Sequence, residues 1–535
     1  MRVRTVHRIT GPHLLLDGMG AAIWLEEIRF ESAFNIKKRV SKACAHFNWG
    51  EPSLLENDTG YSIAIEAPID QLYAACVLLE WACEDEEWSS QVVERIQREE
   101  KEHLRLRSLY VFCLERNISY TVDEDYFCIG YGLYAQSYPW TALPVPEKIK
   151  APQSIPVVAI TGTNGKTTTT RMLSSISKEA GYCVGATSSD GVVIDGETIV
   201  SGDWTGAGAA RKVLRNSKVD FAILETARGG LMRRGMVIRD VDVVGITNVS
   251  RDHFGSWGIE SLISLQRAKL SIVFSLRKYG VLVLNKEHTD IYDLFLKEFS
   301  TKRPDIRVVM YTTKRTISEI VYCNNDIIYV NSEPLCSINE IPLTLDGHAK
   351  YNLENALMAI TIAHLQGISA THIREGLSLL LPDPKHSQGR SNIFFYNGGT
   401  VIVDFAHNEG GITAMVDLVK SLRPKRSFMV LGQAADRSTS LLKGMAYAAA
   451  NLSGQHYWIK QIEKHTSERS AKETALILQE AMKEAFVEPE KISICESELV
   501  AAEEALQQIS EGDVLLFFSH THYEEVVQLL TRGSE

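Results

Sequence analysis

Val157-Val158-Ala159-Ile160-Thr161-Gly162-Thr163-Asn164-Gly165-Lys166-Thr167-Thr168 is the stretch that decides the fold. Its first five residues are apolar or β-branched, the pattern of a parallel strand buried on both faces. A glycine-bearing turn follows, and then lysine and hydroxyl residues where a helix can begin. In such a turn bare backbone N–H groups can wrap a triphosphate, Lys166 can reach its outer phosphates, and the Thr167 hydroxyl can hold Mg²⁺. Ile160 stands where the longer phosphate loop carries its first glycine, so this is the shorter Gly-x-x-Gly-Lys-Thr form. An ordinary strand–turn–helix would need none of these residue types; phosphate binding needs them all.

Outward from the loop, strands and helices alternate. Phe221–Glu225, Val241–Thr247 and Val281–Leu284 read as further buried strands. Helices are expected from Thr167 to Ala180, stopped by Gly181, and over Ile259–Phe274. Glu225 places a carboxylate at a strand's carboxyl end, where open α/β sheets bind ligands. Asp252-His253 lies on the same rim, and Lys269 sits on a helix beyond it. A lone histidine or helix lysine would ordinarily be structural or solvated; here the strand ends collect them. Thr167 and Glu225 can share one Mg²⁺, because that ion takes oxygen ligands. The motifs together imply a protein that uses ATP.

Five of the chain's 15 prolines fall between Tyr138 and Pro156, so residues 138–155 are the expected linker. Before it, residues 1–137 read as an α+β domain. Ala21–Leu25 and Tyr61–Glu66 look like strands, and 69–81 and 92–115 like helices, with Glu84-Asp85-Glu86-Glu87 as a solvated helix end. Residues 156–382 form the ATP-binding domain. Leu381-Pro-Asp-Pro marks the next boundary, and residues 383–535 repeat the α/β alternation in Thr400–Asp404, Phe428–Gly432, His456–Ile459 and Asp513–Phe518.

Hydrophobic residues at 45% suffice for globular cores. A net charge of −11 argues against nonspecific binding to nucleic acid or an anionic membrane. Nine scattered cysteines without a Cys-x-x-Cys pair read as reduced thiols, hence a cytoplasmic setting. The first residues lack the apolar core of a signal peptide, and no apolar run approaches the roughly 18 residues of a membrane span.

At this point the residues resemble the Mur ligase family of ATP-dependent amide ligases. The resemblance is carried by Thr161-Gly-Thr-Asn-Gly-Lys-Thr-Thr, Glu225, Asn248…Asp252-His253 and Ala268-Lys269-Leu270, in that order. It extends to Tyr351-Asn352-Leu-Glu-Asn355, Gly389-Arg390, Asp404-Phe-Ala-His407-Asn408 and Gly432-Gln-Ala-Ala-Asp436-Arg437. Within the family, Glu225-Thr-Ala-Arg-Gly-Gly-Leu-Met-Arg-Arg-Gly, Thr187-Ser-Ser-Asp-Gly and Gly202-Asp-Trp-Thr-Gly look like the Mur-like half of cyanophycin synthetases. Arg8-Ile-Thr-Gly-Pro-His and Ile129-Gly-Tyr-Gly-Leu-Tyr resemble the N-terminal domain of the same enzymes. In those enzymes a large ATP-grasp domain follows; here the proline-rich stretch stands in its place. Phe405, Glu409, Asn285-Lys-Glu-His288 and Ala434-Ala435 depart from the family's pattern.

The resemblance implies a central P-loop-type parallel sheet domain followed by a Rossmann-like C-terminal α/β domain. It implies that Gly162, Thr163, Asn164, Gly165, Lys166, Thr167, Thr168, Asn352, Arg390, Asp404, His407, Asp436 and Arg437 bind ATP. Lys166, Glu225, His253 and Lys269 would be catalytic, and Thr167, Glu225, His253 and Lys269 would hold two Mg²⁺ ions. Lys269 can ligate a cation only if carbamylated. The implied reaction joins a carboxylate to an amine through an acyl phosphate, with amino acids or peptides as substrates. Arginine onto an aspartate side chain is the chemistry of the synthetases. A separate ATP-grasp protein and a second copy of the chain are candidate partners. The alternatives are a folylpolyglutamate-synthase-like ligase and a non-catalytic nucleotide-binding subunit. Retention of Lys166, Thr167, Glu225, His253 and Lys269 argues against the second. The sequence identifies neither the amine nor the carboxylate.

Overall fold

The computed structural model of the chain describes every residue except 85, 100–102, 151–152, 253, 316–317, 464–468 and 533–535. Strands Arg2–Thr10 (β1), Met19–Glu26 (β2), Ser53–Asn57 (β3) and Gly60–Glu66 (β4) form an antiparallel sheet in the order β1-β2-β4-β3. Alternation sends Ala21, Ile23 and Leu25 to one face of β2. There they meet Ile36 and Val40 of helix Phe30–Phe47 (α1), Ala74 and Leu78 of Leu72–Trp81 (α2), and Ile96 of Ser90–Arg98 (α3).

The single helix expected over 92–115 is two. The second, Leu104–Glu115 (α4), begins where buried Asp70 accepts the His103 N–H at 2.8 Å and the Arg107 Nε–H at 2.5 Å. A side-chain acceptor fixed by the other elements thus sets where the helix starts. Glu84 and Glu86 of the acidic run reach Arg95 at 3.6 and 3.1 Å.

Strands Tyr120–Val122 (β5), Tyr126–Ile129 (β6) and Gln136–Pro139 (β7) make a small antiparallel sheet. The proline-rich stretch is therefore packed, not a bare tether: β7 takes its first residues, Leu143 is buried among Leu106, Leu109 and Phe127, and Ile155 lies in the next core.

That core surrounds an 11-stranded sheet. Its strands are Val157–Thr161 (β8), Val184–Ser188 (β9), Gly191–Ile194 (β10), Glu197–Ser201 (β11), Phe221–Glu225 (β12), Val241–Ile246 (β13), Leu276–Asn285 (β14), Arg307–Thr312 (β15), Val321–Asn324 (β16), Ile327–Val330 (β17) and Glu333–Ser337 (β18). The order is β11-β10-β9-β12-β8-β13-β14-β15-β16-β17-β18. From β9 to β16 neighbours are parallel, and the two edges are closed by antiparallel strands. Both faces are covered, as a parallel sheet requires. In β8, Val157 and Ala159 enter one core while Val158 and Ile160 enter the other.

Helices Lys166–Glu179 (α5), Ala207–Leu214 (α6), Arg228–Arg234 (α7), Leu262–Leu270 (α8), Thr289–Leu294 (α9) and Lys350–Leu365 (α10) complete the layers. Because β12, β8 and β13 are adjacent, their carboxyl ends bring Glu225, Gly162 and Thr247 together.

The last sheet holds Asn392–Tyr396 (β19), Gly399–Asp404 (β20), Ser427–Leu431 (β21), His456–Lys460 (β22), Ile492–Cys495 (β23) and Val514–Phe518 (β24), in the order β19-β20-β24-β21-β22-β23. All neighbours are parallel except β19 on β20. No described helix is long and apolar enough to cross a membrane.

Candidate functional site

The loop after β8 is held open by its neighbours. Gly162 has φ +150° and Gly165 φ +84°. A Cβ on Gly162 would lie 1.9 Å from the Thr247 Oγ1, and one on Gly165 would lie 2.1 Å from the Asn355 Oδ1. Only glycine fits either place. The Thr163 N–H donates to the Asn248 carbonyl (2.8 Å), and the Asn164 N–H to the Asn248 Oδ1 (3.1 Å). Thr247 Oγ1 and Asn248 Nδ2 donate to the Asn164 carbonyl at 2.6 and 3.0 Å. The β13 end thus moulds the loop. Gly165 caps α5, and Thr167 and Thr168 are buried in its first turn.

Lys166 donates from Nζ to the Thr163 carbonyl at 2.8 Å, across the mouth of its own loop. The Thr167 hydroxyl lies 3.1 Å from the Ser189 hydroxyl. Glu225 is 2% exposed, and its Oε2 has no hydrogen-bond partner among the described residues. Burial raises its pKa, against the opposing pull of Lys166 and the Thr167 hydroxyl. A desolvated, unsatisfied carboxylate beside a threonine hydroxyl is a costly arrangement unless a cation completes it. The donor set fits a hard divalent ion.

Lys269, 5% exposed, donates to the Gly162 carbonyl at 2.7 Å. Burial pushes its pKa well down; Lys166 and Arg228 add to this, while Asp252 opposes it. His253 lies outside the described residues.

The C-terminal domain closes over this rim. Asn164 and Asn408 exchange amide hydrogen bonds, Nδ2 to Oδ1, at 3.1 and 3.0 Å. The Arg390 Nη2 reaches the Ser189 hydroxyl at 3.4 Å, with its guanidinium 5.0 Å from the Phe405 ring centre. Arg171, four residues beyond Thr167 and on the same side of α5, donates to Asp190 at 2.8 Å and to the Gln388 carbonyl at 3.4 Å.

The other expected residues are placed less uniformly. Asp404 is buried; its carboxylate accepts the Ser391 and Ala406 N–H groups at 2.8 and 2.7 Å. Asn352 is turned inward, donating to the Leu343 carbonyl (2.7 Å) and accepting from Asn355 (3.2 Å). Asn355 is the member of that pair that abuts Gly165. The His407 Nδ1 is 3.1 Å from the Phe405 carbonyl, and burial, first, lowers its pKa. Asp436 and Arg437 pair at 3.1 Å. The charge of Arg437 is felt by both His407 and Arg228, so this turn faces the same cleft.

Sequence reasoning missed Arg171 as part of the site; Ser189, Asp190, Asn248, Asn355 and Asn408 stood inside family motifs, without the contacts seen here. Arg171 was legible from its spacing to Thr167; Ser189 and Asn408 come together only through the fold.

A phosphate loop at the centre of a parallel sheet, faced by an arginine and an asparagine from a second α/β domain, defines a two-domain nucleotide-binding architecture. Residues 160–363 match the Mur ligase middle domain, and residues 389–521 match the Mur ligase, glutamate ligase domain. The chain belongs to the Mur ligase family. Cyanophycin synthetase of Synechocystis sp. is 32% identical over 376 residues, 69% of this chain and 42% of that protein. The chain thus spans less than half the length of that relative. A UDP-N-acetylmuramoyl-L-alanyl-D-glutamate–2,6-diaminopimelate ligase of Clostridium botulinum is 26% identical, over 69% of this chain and 73% of its own length. Among solved structures, E. coli FolC in complex with DHPP and ADP superposes with a TM-score of 0.54 at 20% identity. That match covers 71% of this chain and 89% of that one.

Proposed function

We propose that the chain is an ATP-dependent carboxylate–amine ligase acting through an acyl phosphate. It would join an amino acid to an amino-acid or peptide side-chain carboxylate. The observation that carries this reading is the meeting of the glycine-bearing turn and the α5 start, Lys166, Thr167 and the Glu225 carboxylate at adjacent strand ends, with Arg390 facing them from the second domain. The relatives named above are ligases, and FolC was solved with ADP.

The residues divide the work. The N–H groups of 165–168, at the start of α5, would cradle the phosphates, and Lys166 would leave the Thr163 carbonyl to reach the outer ones. Thr167 and Glu225 would hold Mg²⁺, with His253 and a carbamylated Lys269 holding a second ion. Bound there, the metal supplies charge neutralisation for phosphate and carboxylate. Carbamylation balances as lysine amine plus CO₂ giving carbamate and a proton, which asks for a neutral buried amine.

The acceptor carboxylate attacks the γ-phosphorus and ADP leaves; the neutral amine then attacks the acyl carbon, phosphate leaves, and a proton is lost from nitrogen. Catalysis is mainly positioning and charge stabilisation. The Asn164–Asn408 contact keeps the second domain over the loop and water away from the acyl phosphate.

The test is phosphate release from ATP and Mg²⁺, with each amino acid offered alongside aspartyl peptides and simple dicarboxylates, and products weighed by mass spectrometry. Release coupled to a product one water lighter than its two components supports the ligase and names both substrates. ATP binding without release in any mixture, with or without an ATP-grasp partner, would leave a nucleotide-binding subunit.

A further inference from the structure

We propose a second anion site, separate from the phosphate loop, in the crevice between the N-terminal sheet and helices α6 and α7, built by Arg8, Arg211, Arg215 and Arg234. Its ligand would be a multiply charged oxyanion, presenting either carboxylates or phosphates.

Three elements contribute. Arg8 projects from β1, its guanidinium 3.9 Å from the Tyr73 ring centre and 2.7 Å from Glu124. Arg211 lies on α6, and Arg215, at that helix's C-cap, follows four residues later on the same side. Arg215 donates to the Thr121 hydroxyl at 2.9 Å and pairs with Asp123. Arg233 and Arg234 end α7, and the Arg234 Nη1 reaches the Arg8 carbonyl at 3.4 Å.

Four guanidinium groups, of Arg8, Arg211, Arg215 and Arg234, thus face two carboxylates, Asp123 and Glu124, which Arg215 and Arg8 already engage. Arg211, Arg233 and Arg234 have no salt-bridge partner among the described residues. This happens in a chain whose net charge is −11.

An arginine cluster on an open surface would be ordinary, since water screens it. This one is largely covered: the side chains of Arg8 and Arg215 are 15% and 17% exposed. The Arg211 Nε is buried and makes no hydrogen bond with a described residue. Burial, with Arg215, Arg234 and Arg8 as like charges, pushes the Arg211 pKa down to about 10, although Asp123 pulls the other way. Burying like charges with unused planar donors costs stability. Forked guanidinium donors match carboxylate and phosphate oxygens, so an oxyanion would offset that cost.

The experiment measures binding without turnover, so its failure leaves the ligase reading untouched. The protein is saturated with ADP and Mg²⁺ to fill the phosphate loop. Tripolyphosphate and a hexa-aspartate peptide are then titrated separately by calorimetry. The expected result is saturable binding of at least one probe, weakened about tenfold or more in R211Q/R234Q, because charge-assisted hydrogen bonds are lost. ADP affinity should stay unchanged in that variant.

Peptide binding alone assigns the site to a carboxylate-bearing chain; tripolyphosphate binding alone assigns it to phosphate. If the double variant does not fold, Arg234→Gln alone must weaken the same probe, and so must 0.5 M salt. Binding of neither probe, or binding undiminished in these variants, overturns the proposal.

Discussion

At the scale of single residues, the phosphate loop was legible because its chemistry is local. Gly162, Gly165, Lys166 and Thr167 sit in one run, and each has one physical reason to be there. Gly165→Ala would place a Cβ 2.1 Å from the Asn355 Oδ1 at a φ of +84°, where an L side chain costs roughly 1–2 kcal/mol before any clash. ADP affinity should fall at least about tenfold, read by calorimetry, with the far-ultraviolet spectrum unchanged. Glu225→Gln tests the carboxylate itself. The amide keeps the shape and loses the charge, so phosphate release should drop on the order of 100-fold. Thermal stability should rise or hold, because a buried, unsatisfied carboxylate is removed. A fall in both activity and stability would instead make Glu225 a structural acid. Lys269 was found in the sequence only through family resemblance. Nothing local distinguishes it from a solvated helix lysine; its burial against the Gly162 carbonyl depends on how α8 crosses the loop.

At the scale of elements, strand positions were readable because apolar runs buried on both faces have one interpretation. Edges and contacts between elements were not. The hairpins β10–β11 and β17–β18 carry mixed patterns, and the split between α3 and α4 is set by Asp70, an acceptor far from the break in sequence. Asn408 shows the same limit. Its side chain caps the helix Glu409–Ser421 by accepting the Gly411 N–H at 2.9 Å, which its position before that helix announces. Its amide pair with Asn164, 244 residues away, is invisible until the domains dock. Two substitutions separate the roles. Asn408→Asp keeps the cap and the bond from the Asn164 Nδ2, but leaves the Asn164 Oδ1 without its donor. It should leave stability within about 0.5 kcal/mol and raise the KM for ATP or lower kcat. Asn408→Ala loses both, and should cost about 1 kcal/mol more in urea unfolding. Wild-type activity in both variants would confine Asn408 to capping.

At the scale of the whole molecule, the N-terminal unit touches the elements that carry the chemistry. Asp58, in the turn between β3 and β4, accepts the Glu260 and Ser261 N–H groups at 2.6 and 2.7 Å and so holds Ser261, the N-cap of α8, the helix of Lys269. Trp24 stacks on Trp257 with ring centres 6.4 Å apart. Asp58→Ala should therefore lower activity and stability together, the latter by about 1 kcal/mol for the lost hydrogen bonds to the capping segment. The same seam predicts an acid sensitivity. His13 is buried; its Nε2 lies 3.0 Å from the Met232 carbonyl, and its Nδ1 accepts the Leu15 N–H at 3.1 Å. That pattern requires the neutral ring with its proton on Nε2. Burial pushes the pKa of His13 down to about 4, outweighing the bond to the Met232 carbonyl. Above pH 6.5 both folded and unfolded chains hold the ring neutral, and it contributes nothing to pH dependence. As pH falls from 6.5 toward 4 the unfolded chain takes the proton first, so folding loses stability throughout that window. Between pH 7 and pH 5 the loss from this residue is about 2 kcal/mol. A glutamine at this position can donate and accept without titrating. His13→Gln should therefore unfold in urea with a shallower fall in midpoint between pH 7 and 5. An identical slope in the two proteins would place the proton uptake elsewhere and leave His13 as a packing residue between the N-terminal strand and α7.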